Sequence, residues 1–357
     1  MTPSSSVQPR VWVVSAYRAG EQSQLLALAE ALGWPFELKP VRHRLLGAPL
    51  DLFRCTGLFG IDAESAARFA PPWPDLLIAA GMRNEAIGRW VREASGGRCR
   101  IVHVGRPWAD PRRFDLVVAT PQYRLPEHPQ VLQNALTLHR VTGERLAEAA
   151  DAHAERIARL PGPRIAVIVG GSSGPYAFGI RAARRLARQA SELAASLGGS
   201  LLLSTSSRTP AVVTRTLADS ISVPHELYRW RAGDSQNPYY AYLAAAERIV
   251  VSFDSIAMIS EAAATGKALY LFDLSRDHAA DSVDEGRDWT PTTMGYRLLM
   301  RFGPDRLGRD ISLVHERLLA EGRAAWLGQA HPHPEAELPV SRDVERAVAR
   351  VRALFLE

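Results

Sequence analysis

Lysine is nearly missing from this chain. It occurs only at Lys39 and Lys267, and every other one of the 43 basic residues is arginine. Genomic base-composition bias is enough to explain that, although arginine also suits phosphate groups and anionic lipid heads. The net charge of +5 is mild, and no basic run is interleaved with aromatic residues, which argues against nucleic acid as a partner. Cysteine is scarce too. Cys55 and Cys99 lie far apart, which excludes a disulfide framework or a cysteine zinc site. No HExxH, CxxC, P-loop or Asp-x-Asp pattern is present, so a metal-dependent mechanism has no support. Long apolar runs are also absent: Glu247 and Arg248 interrupt the longest candidate, and no stretch reaches membrane-spanning length. The N-terminal MTPSSSVQPR is polar, and residues 11–14 are too short for a signal-peptide core. A soluble cytoplasmic protein is expected, with at most peripheral contact at the inner face of a membrane.

What is present is an alternation of short apolar runs with helical patterns. With 357 residues, 46% of them hydrophobic, the chain can bury two cores rather than one. Residues 11–15, 76–80, 100–104 and 116–119 read as strands. Residues 21–32 and 84–94 read as helices, and Gly or Pro stands just past several strands. Residues 135–160 read as one helix that Pro161-Gly162-Pro163 breaks, which sets a boundary between domains 1–160 and 161–340. The alternation then resumes, with strands at 164–169, 201–204, 249–253 and 268–272. Helices are expected at 176–197, 211–218 and 256–264. Residues 273–294 form a polar segment long enough to be a lid or insertion, and 344–354 reads as an amphipathic helix. The fold class is α/β, with two parallel sheets whose ligand crevices lie at the carboxyl ends of the strands.

The chain is organised around residues 248–274. A buried strand runs into Asp254 and Ser255, both good helix N-caps, and a helix follows that Gly266 stops. The first amides of such a helix form an anion site. Glu261 stands two turns down the same face, where a sugar hydroxyl could reach it. The spacing suits a nucleotide diphosphate, and equally suits plain caps with an exposed Glu261. Gly170-Gly171-Ser172-Ser173-Gly174 is a second candidate phosphate turn; it is not GxGxxG, so a nicotinamide fingerprint is poorly supported. Thr205-Ser206-Ser207-Arg208 is a third polar loop at a strand end. Asn237-Pro238-Tyr239-Tyr240 opens a short helix whose tyrosines could stack on a base or pack. In the first domain, Arg18-Ala19-Gly20-Glu21 follows the first strand, as a βα turn or as part of a site. His103 and His128 are lone histidines, each better explained by structure than by catalysis.

These blocks resemble the mitochondrial-fission "elongated mitochondria" (ELM) family. The likeness runs through Arg18-Ala19-Gly20 with Gln24, residues 114–118, 204–210 and Asn237-Pro238-Tyr239. It is most specific at Asp254, Ser255, Met258, Ser260-Glu261-Ala262 and Gly266-Lys267. The family in turn resembles the GT-B glycosyltransferases. That implies two Rossmann-like lobes facing a cleft, with a C-terminal helix, within 341–357, crossing back onto the first lobe. It implies a donor lobe in which Gly171, Ser172, Ser173 and Ser255 meet the diphosphate and Glu261 the ribose. Thr205, Ser206, Arg208, Asn237, Asp254 and Met258 complete the nucleotide set. The implied activity is metal-independent transfer of a sugar from a nucleotide sugar, needing no further cofactor, to an envelope lipid or polysaccharide precursor. Where the family often has Asp-Gly before the Arg and His after the Gly, this chain has Ala16, Tyr17 and Glu21. Where it often has His-Asp, this chain has Tyr123 and Arg124. Either Glu21 serves as general base beside Arg18, or the protein is a non-catalytic adaptor, as plant members are thought to be in recruiting a dynamin-related GTPase. A nucleotide-sugar epimerase is a further alternative on this fold.

Overall fold

The computed structural model describes residues 8–44, 56–173, 176–275, 309–334 and 338–356. Cys55, Gly174 and most of the expected lid lie outside the described residues. The chain divides into two compact units: residues 1–140 with 342–357, and residues 141–341. Each carries a six-stranded parallel sheet, so the expected α/β class with two Rossmann-like lobes is present.

In the first unit the strands are β1 (Val11–Val14), β2 (Phe36–Lys39), β3 (Leu76–Ala80), β4 (Arg100–Val104), β5 (Leu116–Ala119) and β6 (Val131–Gln133), in the order β2-β1-β3-β4-β5-β6. Strand β1 shows why a continuous apolar run is required. Alternate residues point to opposite faces, and both faces are covered. Val11 and Val13 pack with Leu25, Leu28 and Leu32 on one side, while Trp12 and Val14 pack with Phe69, Leu77 and Ile87 on the other. The Ala19–Leu32 helix ends at Gly33, whose φ of 68° is the left-handed stop that glycine supplies.

The C-terminal helix, Asp343–Ala353, belongs to this first unit, with Ala347 and Val351 in its core. Asp343 fixes the helix start. Its buried carboxylate accepts the amides of Ala135 at 3.0 Å and Leu136 at 2.8 Å, and Asn134 Nδ2 donates to its carbonyl at 3.1 Å.

The second unit contains β7 (Arg164–Ile168), β8 (Ser200–Ser204), β9 (His225–Tyr228), β10 (Arg248–Ser252), β11 (Ala268–Phe272) and β12 (Ala324–Trp326), in the order β12-β11-β10-β7-β8-β9. Its central strands β7, β8, β10 and β11 are buried almost end to end. The two lysines are both structural. Lys39 Nζ donates to the carbonyl of Arg68 at 2.9 Å and lies over the Trp12 ring, and Lys267 Nζ caps the end of the Tyr239–Ala245 helix through the carbonyl of Leu243 at 2.8 Å.

Two expectations fail between the sheets. Residues 135–160 are not one helix. Asp343 holds the amides of Ala135 and Leu136, and helix begins only at Gly143, where the Thr142 hydroxyl accepts the Arg145 amide at 3.1 Å. The units divide at Val141, not at Pro161-Gly162-Pro163. The Gly143–Ala152 helix packs on Tyr239–Ala245 in the second unit, with the Arg145 guanidinium 5.9 Å from the Tyr240 ring centroid.

Candidate functional site

Sheet order brings three loops of the second unit together. Strand β7 lies between β10 and β8, all parallel, so the turns leaving their carboxyl ends are neighbours. These are residues 170–173, 205–209 and 253–255, the three candidates read from the sequence.

Asp254 locks them. It was expected as a helix cap or nucleotide contact, but the N-cap residue is Ser255, and Asp254 turns back under the sheet end with its side chain 0% exposed. Its Oδ1 accepts the Ser252 hydroxyl at 2.7 Å, while Oδ2 accepts the Gly171 amide at 3.1 Å and pairs with Arg208 Nη2 at 2.7 Å. Ser252 Oγ in turn accepts the Gly170 amide at 2.7 Å. The carboxylate therefore ties β10, the glycine turn and the β8 loop in one buried knot, and its charge is matched by Arg208. Glycine is required here by close approach: a Cβ on Gly170 would collide with the Asp254 carboxylate, and one on Gly171 with the Arg208 carbonyl.

Most of the polar side chains around the knot also hold the loops in place. Ser206 Oγ donates to the Gly170 carbonyl at 3.0 Å, and Thr209, which the sequence did not single out, donates to the Val169 carbonyl at 3.1 Å. Thr205 Oγ1 accepts the Trp230 amide at 2.9 Å. Ser172 Oγ accepts the Phe178 amide at 3.0 Å, and Asn237 Oδ1 accepts the Tyr239 amide at 3.1 Å, starting that helix. Part of this set also reaches the surface. Ser255 makes no side-chain cap to the Ile256–Ala263 helix, so among the described residues the first-turn amides, up to Met258, are not capped by that side chain. Arg208 and Ser172 are exposed at the rim of the knot.

Glu261 is not the exposed residue that the sequence allowed. It is 8% exposed, and its Oε2 accepts the Tyr239 hydroxyl at 2.6 Å. Burial, and then the neighbouring carboxylate, push the Tyr239 phenol well above its ordinary value, so Tyr239 stays a donor. The tyrosines thus pack and donate; Tyr242 is fully buried with its hydroxyl on Glu226.

Arg18 and Glu21 lie in the first unit, at the carboxyl end of β1. Arg18 Nη1 and Glu21 Oε1 are 3.8 Å apart, with the side chains 71% and 28% exposed, a weak surface pair. Glu21 Oε2 lies 3.5 Å from where a Gly81 Cβ would stand, so it sits at the mouth between the β1 and β3 turns. Asn84, not singled out in the sequence, staples those turns by donating to the carbonyls of Ser15 and Ala80, each at 3.0 Å. Buried Glu85 shapes the next turn by accepting the amides of Trp108 at 2.7 Å and Ala109 at 3.0 Å. His103 is wholly buried against Phe114, and burial lowers its imidazole to about 4, a structural histidine as expected. Among the described residues no group of three or more His, Cys, Asp or Glu could hold a metal ion, and no helix is long and apolar enough to cross a membrane.

The sequence from residue 19 to residue 286 matches the family described as mitochondrial fission ELM1. The chain belongs to that family. It is 27% identical over 235 residues to the mitochondrial fission protein ELM1 of Arabidopsis thaliana, covering 59% of this chain and 54% of the plant protein. This family member therefore spans about half the length of that relative. It is 23% identical over 293 residues to the uncharacterized protein RP120 of Rickettsia prowazekii, covering 73% of this chain and 82% of that one. Among solved structures it is similar to MurG of Acinetobacter baumannii, with 15% identity, a TM-score of 0.44 and coverage of 97% and 99% of the two chains. It is also similar to the UDP-GlcNAc 2-epimerase of Methanocaldococcus jannaschii, with 13% identity, a TM-score of 0.48 and coverage of 87% and 99%.

Proposed function

We propose that the second unit of this ELM1-family protein binds the nucleoside diphosphate of a nucleotide sugar, and that the protein transfers the sugar to an acceptor hydroxyl without a metal. The observation that carries this reading is the Asp254 knot. It spends a buried carboxylate and a guanidinium on holding a glycine turn rigidly beside a helix N-terminus that has no side-chain cap. Preorganised amides of that kind stabilise negative charge that grows on a leaving diphosphate. Glu261, fixed by Tyr239, would accept a ribose hydroxyl.

In the transfer step the bond between the sugar C1 and the phosphate oxygen breaks with its electron pair going to the diphosphate. The acceptor oxygen bonds to C1 and its proton passes to a general base, a role for which the first unit offers Glu21 beside Arg18. An envelope lipid or polysaccharide precursor would serve as acceptor. A thermal-shift screen across nucleoside diphosphates and their sugars tests the donor half. A shift specific to one base and sugar is expected; no shift with any of them overturns the reading. Given a donor, Glu21→Gln is expected to lower turnover about 100-fold with donor affinity kept. Binding with no turnover in the unaltered protein would favour the adaptor reading, and release of an epimerised donor would favour the epimerase.

A further inference from the structure

A second guanidinium reaches the glycine turn from far along the chain. Arg309 Nη2 donates to the Ser173 hydroxyl at 3.2 Å across 136 residues of sequence, from a position beyond the matched family segment. The two arginines at this turn are in different electrostatic situations. Arg208 donates one hydrogen bond to the Ser172 carbonyl at 3.4 Å and gives its charge to the buried Asp254 carboxylate. Arg309 is partly buried, its contact is a neutral hydroxyl, and among the described residues it takes part in no ion pair. The neighbouring carboxylate of Asp310 is turned to the amide and hydroxyl of Ser312, at 3.1 and 2.6 Å. Among the described residues no carboxylate pairs with this partly buried guanidinium, and an anion delivered to that spot would supply its counter-charge.

We propose that Arg309 is a phosphate-positioning residue: it leaves Ser173 to pair with a phosphate of the bound nucleoside diphosphate, while Arg208 stays on Asp254 as part of the scaffold. This rests on the reading that the second unit binds such a nucleotide, and it assigns the mobile positive charge to a residue that the sequence did not single out. The division of labour is specific. Replacing Arg208 breaks the knot, whereas replacing Arg309 removes a ligand contact and leaves the fold alone.

The test is calorimetry on the full chain with inorganic pyrophosphate, with UDP, ADP, GDP and CDP, and with the matching nucleosides. Arg309→Ala is expected to weaken pyrophosphate and the preferred nucleoside diphosphate by about ten- to hundredfold, the scale of one charged hydrogen bond. The nucleoside, which has no phosphate, should bind as before, and the melting temperature should stay within about a degree. Arg309→Lys should recover part of the affinity, since it keeps the charge but not the fork. Equal affinity of unaltered protein and Arg309→Ala for pyrophosphate and diphosphate overturns the proposal, as does an equal loss for nucleoside and diphosphate. Pyrophosphate binding that depends on Arg309, without any nucleotide binding, would keep Arg309 as a phosphate contact but overturn its pairing with a nucleoside diphosphate, together with the nucleotide reading. Binding of neither would sink both.

Discussion

Asp254→Asn separates a structural lock from a ligand contact. The carboxylate has no exposed side-chain surface and accepts from three donors: the Ser252 hydroxyl, the Gly171 amide and the Arg208 guanidinium. An asparagine loses the charge that matches Arg208; with its NH2 group toward Gly171 and Arg208 it sets a donor against donors, and with its NH2 group toward Ser252 it obliges that hydroxyl to turn and accept. Breaking a buried ion pair costs about 3–5 kcal/mol, but Arg208 is 39% exposed and water can take over part of its solvation. A loss of about 3 kcal/mol is therefore expected. For a unit of this size that lowers the melting temperature by roughly 6–12 °C. Because the chain has two units, a global melt alone does not assign the loss, and hydrogen exchange should be read alongside it. The Gly170 and Gly171 amides should lose protection in the variant while the β4 and β5 amides of the first unit keep theirs. A variant with unchanged melting temperature and unchanged exchange at Gly170 and Gly171 would refute the lock.

The Tyr239–Glu261 bond should show as coupling of about 1 kcal/mol in a double-mutant cycle of Tyr239→Phe and Glu261→Gln measured by chemical denaturation, with Glu261→Ala the worst single variant because it orphans the phenol. Burial raises the phenols of Tyr239 and Tyr242 above their ordinary 10, so their contribution to stability is complete below pH 10 and is lost above it as the unfolded chain ionises first. Ultraviolet titration should show these two ionising only on unfolding. His103 and His315 run the other way. Burial lowers each from 6.5 to about 4, so stability present above pH 6.5 falls as the pH drops toward 4, by up to about 3 kcal/mol for each histidine. His103 is wholly buried, so His103→Leu should flatten the acid slope of the first unit, as melts at pH 7 and pH 5 would show. Asp343→Ala should cost about 3 kcal/mol and expose the amides of Ala135 and Leu136 to exchange, since the carboxylate that holds them is buried.

The parts of the fold that the sequence displays are those buried on both faces. Strands β1, β3, β4, β5, β7, β8, β10 and β11 are apolar runs because parallel sheets covered by helices leave no wet side. The edge strands do not announce themselves. Phe36-Glu37-Leu38-Lys39 has three of four residues exposed, and His225-Glu226-Leu227-Tyr228 is mixed for the same reason. The candidate loops were legible as polar turns after strands. Their internal wiring was not, because it is set by partners far away in the chain. Phe253-Asp254-Ser255 carries a helix-cap signature, yet Asp254 is claimed by a glycine amide 83 residues earlier. Glu261 reads from the sequence as an acid that could be exposed on its helix, but six of that helix's eight residues are buried, and a tyrosine from another helix takes the carboxylate. Arg309 had no local signal, since nothing near it suggests contact with Ser173.

The central claim is that the knotted loops of the second unit hold a nucleoside diphosphate. Hydrogen exchange followed by mass spectrometry, with and without a saturating nucleoside diphosphate chosen from the thermal-shift screen, tests it most directly. The account predicts added protection at the amides of residues 170–173, 205–209 and 255–258, together, and none at the equivalent strand ends of the first unit. Protection confined to the first unit, or no change at those three segments under saturating ligand, would contradict it.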